Sequence, residues 1–341
     1  MKNQKLKVAI NGFGRIGRAF FKLAEERQDL EVVAVNDLGS IESLSYLLKY
    51  DTVYRTWKHD VKNDGKNLVI NGREVKFISE KDGTKLPWKD FGIDVVVECT
   101  GLFTDYAKAK FHIDAGARKV VITAPAKGEG EGTLGQTILM GVNEDKFGAC
   151  DITSNASCTT NAASPLIAIL DEALGIEKAV LSTTHGYTAT QSLVDGPSKK
   201  DLREGRAAAQ NIVPSSTGAA IAVTKAFPRL EGLFDGISLR VPVPAGSIVD
   251  VTFISKKQTT AQDVNNILKK AAASDKWKNI FAVSEEPLVS SDILGNTHGS
   301  MADLEMTRVV GGNLVKVMAW YDNEMGYTSM LVEHVVKTGS K

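Results

Sequence analysis

Residues 154–161 read SNASCTTN, a single thiol, Cys158, set among two Asn, two Ser and two Thr. A free Cys packs as a small hydrophobe, so this polar setting asks whether Cys158 fills a core, binds a metal, forms half a disulfide or acts as a nucleophile. The chain has three Cys, at 99, 150 and 158, with no C-x-x-C pair, and five scattered His with no H-E-x-x-H. A zinc site or redox dithiol therefore has little support, and an odd, low Cys count suits a reducing compartment. The apolar run AASPLIAILDEALG follows, which places Cys158 at or just inside a helix N-terminus. Free N–H groups and the helix dipole are expected to lower a thiol pKa there. Polar N-capping residues around an incidental Cys fit the local sequence equally well. His185 tips the balance. It sits in STTHGYTATQ (182–191), where it is expected to leave the end of the strand KAVLSTT into a loop. A Cys and a His on separate elements are the residue types of a thiol nucleophile and its base, although spacing alone does not bring them together.

A second constellation lies at the N-terminus. Leu6–Ile10 reads as a short apolar strand, Gly12, Gly14 and Gly17 form G-x-G-x-x-G, and Arg15–Glu26 shows helical spacing with Ile16, Ala19, Phe20 and Leu23 on one face. The next strand, EVVAVND, ends at Asp37, 20 residues beyond Gly17. This is a complete dinucleotide fingerprint. Gly12 permits the tight turn, Gly14 lets backbone approach a pyrophosphate, and Gly17 allows close helix–strand packing. Arg15 and Ile16 open the helix whose N–H groups face the phosphates. Asp37 is suited to the ribose hydroxyls and its charge disfavours a 2′-phosphate, so NAD is expected rather than NADP.

These groups need a frame. IDVVVECTG (93–101) and ARKVVITAPA (117–126) read as buried parallel strands. Ligands bind beyond the carboxyl ends of such strands, which places Thr100, Gly101, Phe103 and Thr123 along the dinucleotide. Residues 50–90 read as an antiparallel excursion, and 127–136, KGEGEGTLGQ, as a flexible surface loop. The 341 residues suffice for about two domains. With 41 basic and 41 acidic residues the formal net charge is +0, so no general nucleic-acid or membrane affinity is expected. The start, MKNQKLKVAINGFG, has no long apolar core, and no apolar run approaches a membrane span. A cytoplasmic location is expected.

Together the motifs carry a resemblance. NGFGRIGR, VND, SNASCTTN, TTHGYTATQ, RAAAQNIVPSSTGAA, LRVPVP and WYDNEMGY occur in the order and spacing of the phosphorylating glyceraldehyde-3-phosphate dehydrogenase family, along nearly the whole chain. The resemblance implies an α/β fold: a Rossmann NAD-binding domain with a parallel sheet over 1–156, a catalytic α+β domain with a mixed sheet over 157–321, and a C-terminal helix, 322–341, that returns to the first domain. It implies NAD as cofactor, glyceraldehyde 3-phosphate and inorganic phosphate as substrates, and a homotetramer whose interface near the cofactor is lined by loop 187–211 with Arg203 and Arg206. Cys158 would be the nucleophile and His185 its base. Ser157, Thr159, Thr217 and Gly218 would hold the attacking phosphate, and Thr188, Thr190 and Arg240 the substrate's own. Asn323 would bind the nicotinamide carboxamide, with Tyr327 beside it. The chain departs from the family pattern at Ala162, Ile221, Val243, Ala245 and Gly246. Erythrose-4-phosphate dehydrogenase activity and a non-catalytic nucleotide- or RNA-binding role are the alternatives.

Overall fold

Strand burial separates two kinds of sheet. Val95–Glu98 is buried at every residue, whereas Ser247–Ser255 alternates buried and half-buried. The first pattern belongs to a sheet covered on both faces, the second to a sheet with one face packed. The structure, a computed structural model, describes residues 5–341 except 129, 131, 199 and 200, and these divide into two compact units. The first comprises residues up to 138, 144–156 and 331–341, and the second 139–143 and 157–330.

The first unit runs β1 (Leu6–Asn11), α1 (Arg15–Ala24), β2 (Leu30–Asn36), α2 (Ile41–Lys49), a small ribbon of β3 (Tyr50–Asp51) and β4 (Arg55–Thr56), β5 (Val61–Asn63), β6 (Asn67–Ile70) and β7 (Arg73–Ile78). It continues through α3 (Trp88–Phe91), β8 (Val95–Glu98), α4 (Tyr106–Ala109), α5 (Phe111–Asp114), β9 (Lys119–Ile122), β10 (Gly135–Thr137) and β11 (Ile152–Ser154). The sheet order is β10-β11-β9-β8-β1-β2-β7-β6-β5. All pairs are parallel except β5–β6 and β6–β7. The antiparallel excursion thus rejoins the main sheet, because β7 pairs parallel with β2. The reading of 127–136 as loop needs correction at its end. Gly135 and Gln136 belong to β10, which pairs with β11, and Gly135 lies so close to the Tyr106 ring that a Cβ would stand 2.1 Å from it.

The second unit runs α6 (Cys158–Leu174), β12 (Ile176–Gly186), β13 (Val213–Ser216), α7 (Ala219–Ala226), β14 (Phe234–Val241), β15 (Ser247–Ser255), α8 (Ala261–Ala272), β16 (Phe281–Ser284), β17 (Ser300–Val310) and β18 (Leu314–Tyr321). Its mixed sheet has the order β13-β14-β12-β15-β18-β17-β16. Helix α6 packs on it and is buried along most of its length. One local expectation changes. His185 lies within β12 rather than in a loop, because backbone pairing with β14 extends to Gly186. The stretch before STGAA is strand β13, paired antiparallel with β14.

The last helix, α9 (Met325–Gly339), has its first six residues in the second unit and the rest in the first. Within the first unit His334 is fully buried. Its Nε2 meets the Thr153 hydroxyl at 2.7 Å, and the Phe147 ring stands edge-on to it. Burial pushes His334 down to about 3 from an ordinary 6.5. The unfolded chain therefore binds this proton between pH 6.5 and about 3 while the folded protein does not, and stability falls as pH falls through that window. Urea unfolding at pH 6.5 and 4.5 is expected to show His334→Gln losing about 2 kcal/mol less than wild type. Equal losses would mean that His334 is protonated in the folded state.

Candidate active site

Ser157 stops the chain from entering α6 any earlier. Its backbone is extended, and its hydroxyl accepts from Thr160 N–H at 3.1 Å as the helix N-cap. Cys158 follows as the first helical residue and is half-buried. Its sulfur lies 3.3 Å from His185 Nε2. His185 comes from the centre of the sheet, where β12 sets it directly beside Arg240 of β14. The His185 Nδ1 lies 2.7 Å from Gly186 O and also against the Arg240 guanidinium. The two contacts compete, since Gly186 O can only accept from Nδ1 and Arg240 can only donate to it; in the form with Nδ1–H donating to Gly186 O, Nε2 presents its lone pair to the thiol, the tautomer of a base.

The charges of this pair follow from burial. His185 is pushed down to about 3, first by burial and then by the Arg240 cation. Burial pushes the Cys158 thiol up, against Arg240 and the Thr159 and Cys158 amides, which pull it down. The expectation of a net lowered thiol pKa at the helix N-terminus is therefore corrected: the amides act in the expected direction, and desolvation outweighs them. Burial thus opposes charge on both members of the pair.

The neighbouring hydroxyls fall into separate groups. Thr159 Oγ1 meets Tyr321 Oη at 2.9 Å, and Tyr321 Oη also meets Thr183 Oγ1 at 2.7 Å. Thr188 and Thr190 pair their hydroxyls at 3.0 Å just beyond the end of β12. Thr217 and Gly218 open α7. No hydrogen bond joins these last four to Cys158 or His185 among the described residues. Among the described residues Arg240 Nε is buried without a partner, a donor suited to an anion. Asn323 Oδ1 accepts from Gly246 N–H at 3.1 Å and from the Ser247 hydroxyl at 2.8 Å. This fixes the amide so that its NH2 is the end left for a ligand. Tyr327 is buried one turn into α9.

In the first unit the glycines are fixed by close backbone approach. A Cβ on Gly12, whose φ is +95°, would stand 2.7 Å from Thr100 N, and one on Gly17 would stand 2.2 Å from Gly12 O. Gly14 faces open space and begins α1 with no side-chain cap, leaving the helix N-terminus to an anion. Asp37 accepts from Phe13 N–H at 2.6 Å and Gly39 N–H at 2.8 Å. Gly12, Gly14, Asp37, Thr100 and Phe103 line a cleft of about 450 Å³, a volume suited to a nucleotide portion. Arg15 turns its guanidinium to Asp51 at 2.7 Å. Ile16 lies beside it in the first turn of α1. Gly101 has φ +71°, and Thr123 donates its hydroxyl to Glu98 O at 2.9 Å.

Comparison with known proteins finds two family matches along the chain. Residues 6–106 match the glyceraldehyde 3-phosphate dehydrogenase NAD binding domain, and residues 157–323 match the C-terminal domain of that family. The chain belongs to the glyceraldehyde 3-phosphate dehydrogenase family. It is 47% identical over 330 residues to the glyceraldehyde-3-phosphate dehydrogenase of Priestia megaterium, covering 96% of each chain. It is also 47% identical over 339 residues to glyceraldehyde-3-phosphate dehydrogenase 1 of Bacillus subtilis, covering 98% of this chain and 99% of that one. To glyceraldehyde-3-phosphate dehydrogenase 1 of Kluyveromyces lactis it is 46% identical over 334 residues, covering 97% and 99%.

Against the family pattern, the departures are accommodated locally. Ala162 is fully buried in α6, and Ile221 is exposed on α7. Val243 holds Tyr187 N–H through its backbone carbonyl at 3.0 Å, a contact indifferent to the side chain. Ala245 is buried. Gly246, at φ +85°, passes Ser290 O so closely that a Cβ would stand 2.2 Å away. Sequence reading missed two residues. Tyr321 lies inside the stretch WYDNEMGY, but only the sheet brings it to Thr159 and Thr183. Glu98 carries a local signal, because it is a charge inside the apolar run VVVEC.

Removing the Arg240 cation is expected to raise both the Cys158 thiol and His185. In Arg240→Leu the pH midpoint for alkylation of Cys158 by iodoacetamide should move up by about one unit or more. An unmoved midpoint would show that Arg240 does not tune the pair.

Proposed function

We propose that this chain oxidises and phosphorylates D-glyceraldehyde 3-phosphate to 1,3-bisphosphoglycerate with NAD and inorganic phosphate. The observation that carries the reading is the Cys158–His185 contact at a helix N-terminus, with Arg240 beside it. The family match supports it.

Cys158 Sγ bonds to the aldehyde carbon while His185 Nε2 takes the thiol proton and returns it to the carbonyl oxygen, giving a hemithioacetal. The Cys158 N–H at the start of α6 is placed to stabilise the developing oxyanion. His185 then removes the hydroxyl proton as the aldehyde C–H bond breaks, leaving a thioester on Cys158. Bound NAD supplies the acceptor for that hydride. An inorganic phosphate oxygen attacks the thioester carbon, and the C–S bond breaks to release the acyl phosphate and regenerate the thiol side chain.

Ser157, Thr159, Thr217 and Gly218 are proposed for the attacking phosphate. For Thr159 the backbone is the available end, since its hydroxyl is engaged by Tyr321. Thr188, Thr190 and Arg240 are proposed for the substrate phosphate, and the unpartnered Arg240 Nε suits that role. The NAD contacts are proposed at Gly12, Gly14, Arg15, Ile16, Gly17, Asp37, Thr100, Gly101, Phe103 and Thr123, with Asn323 and Tyr327 toward the nicotinamide. Asp37, held by two backbone N–H groups, favours NAD over NADP. A homotetramer in the cytoplasm completes the reading. Leu193, Val194 and Leu202 of loop 187–211 are 80%, 72% and 87% exposed, as side chains awaiting another subunit would be. Nothing observed favours erythrose 4-phosphate as substrate or a non-catalytic RNA-binding role.

The test is NADH formation from glyceraldehyde 3-phosphate and NAD. Sustained turnover should require inorganic phosphate, vanish in Cys158→Ala, and fall about 10²–10⁴-fold in His185→Asn. Turnover independent of phosphate would make water the acyl acceptor and overturn the proposal.

A further inference from the structure

We infer that Glu98 and His112 form a buried positioning pair that shapes the cofactor-facing loop Thr100–Phe103, with Trp88 fixing the tautomer of His112 on which the pair depends. The inference rests on the reading that this cleft takes NAD. Glu98 ends β8 at the centre of the parallel sheet and is 2% exposed, and His112 is 0% exposed. No Lys or Arg reaches Glu98 among the described residues. Donors occupy it instead. Oε2 accepts from Asn11 Nδ2 at 2.7 Å and from His112 Nε2 at 3.0 Å. Oε1 accepts from Thr100 N–H at 2.8 Å and from the Thr100 hydroxyl.

The tautomer follows from the indole. Trp88 Nε1 can only donate, and it donates to His112 Nδ1 at 3.0 Å. The Nδ1 atom therefore carries the lone pair and Nε2 the proton, which points at Glu98. A doubly protonated ring would set two N–H groups against each other at Trp88. His112 is thus a neutral donor, and Glu98 keeps both oxygens as acceptors.

From Glu98 the contacts reach both walls of the cleft. On one side Thr100 Oγ1 accepts from Leu102 N–H at 3.1 Å, so the carboxylate holds Thr100 and Thr100 holds the turn. On the other, Asn11 Oδ1 accepts from Asn36 Nδ2 at 2.8 Å. Asn36 in turn brackets the Glu80 backbone, with Oδ1 to N–H at 2.9 Å and Nδ2 to O at 3.0 Å. Thr100, Leu102, Phe103 and Glu80 all line the cleft. A buried network of this kind holds its members only while every donor meets an acceptor.

An amide in place of the Glu98 carboxylate breaks the chain. Its NH2 would face either the Thr100 donors or those of Asn11 and His112. Flipping Asn11 to compensate sets it against Asn36, and flipping Asn36 breaks its pair with Glu80. One conflict has a specific remedy. With Trp88→Phe, His112 can carry its proton on Nδ1 and accept from the introduced amide at Nε2.

The experiment measures NAD binding by calorimetry on the purified full-length protein and its Glu98→Gln, Trp88→Phe and double variants, with steady-state kinetics alongside. Glu98→Gln is expected to raise the NAD dissociation constant at least tenfold. The KM for glyceraldehyde 3-phosphate and kcat at saturating NAD should stay within twofold. Trp88→Phe alone should change NAD binding by no more than threefold, and the double variant should bind NAD measurably more tightly than Glu98→Gln, with the conflict left at Asn11 keeping it weaker than Trp88→Phe. Wild-type-like binding by Glu98→Gln, or a double variant at least as weak as Glu98→Gln, overturns the inference. A wild-type protein that binds no NAD overturns the reading beneath it. Should the variants fail to fold, side-chain ¹⁵N spectra of the wild type decide. His112 must show the Nε2–H tautomer, and its resonance must move when NAD is added. The opposite tautomer, or no movement, overturns the inference.

Discussion

The chemistry of the second unit depends on strand register. Cys158 is fixed by a helix start and His185 by a central strand, and their 3.3 Å contact exists only because β12 lies in one alignment with β14 and β15. Thr183 and His185 project from the same face of β12, toward Tyr321. A slip of one residue would turn both away and bring Thr184 to the base position. The same alignment places Arg240 beside His185, so one backbone ladder supplies both the proposed base and the cation that lowers its basicity. The first unit uses backbone in a parallel way. Its cleft is shaped by the approach of Gly12 to Thr100 and of Gly17 to Gly12, distances that any side chain at either glycine would prevent.

Much of this was legible in the sequence where a residue type encodes a backbone demand or an intrinsic reactivity. The spacing of Gly12, Gly14 and Gly17 and the acid at Asp37 describe a strand, a turn and a helix start that are local in the chain. Cys158 announces itself by its neighbours. The mostly parallel sheet was visible in runs such as VVVE and KVVI, and the family match agrees with the fold and the NAD-dependent dehydrogenase reading. Contacts that join distant strands were not visible. Tyr321 meets Thr159 across 162 positions, and Arg240 meets His185 across 55. Nothing in either segment specifies the other. The start of strand β10 was read as loop because the segment 127–136 leading into it is rich in Gly, and tertiary pairing overrides that composition.

The thiol shows why motif logic needs magnitudes. Helix amides and a nearby cation favour the thiolate, and both are present at Cys158. Burial opposes them and prevails in the unliganded protein. The local environment of the proposed nucleophile is therefore a balance of helix amides, a cation and burial, and that cation, Arg240, belongs to the proposed substrate-phosphate site. Under that proposal, binding and activation share a residue.

Helix α9 has a consequence for biosynthesis. Residues 331–341 belong to the compact unit built from the first 138 residues and 144–156, and His334 seals against Thr153 and Phe147 inside it. Translation delivers that unit's sheet first and its closing helix last, after every residue of the second unit has been made. The segment that leaves the ribosome earliest is consequently completed latest. The usual vectorial order, in which N-terminal domains finish ahead of those that follow, is reversed here. A nascent chain halted short of residue 331 would carry a finished second unit and an N-terminal unit still missing part of its core, with the apolar surface under α9 left open to chaperones and to other nascent chains.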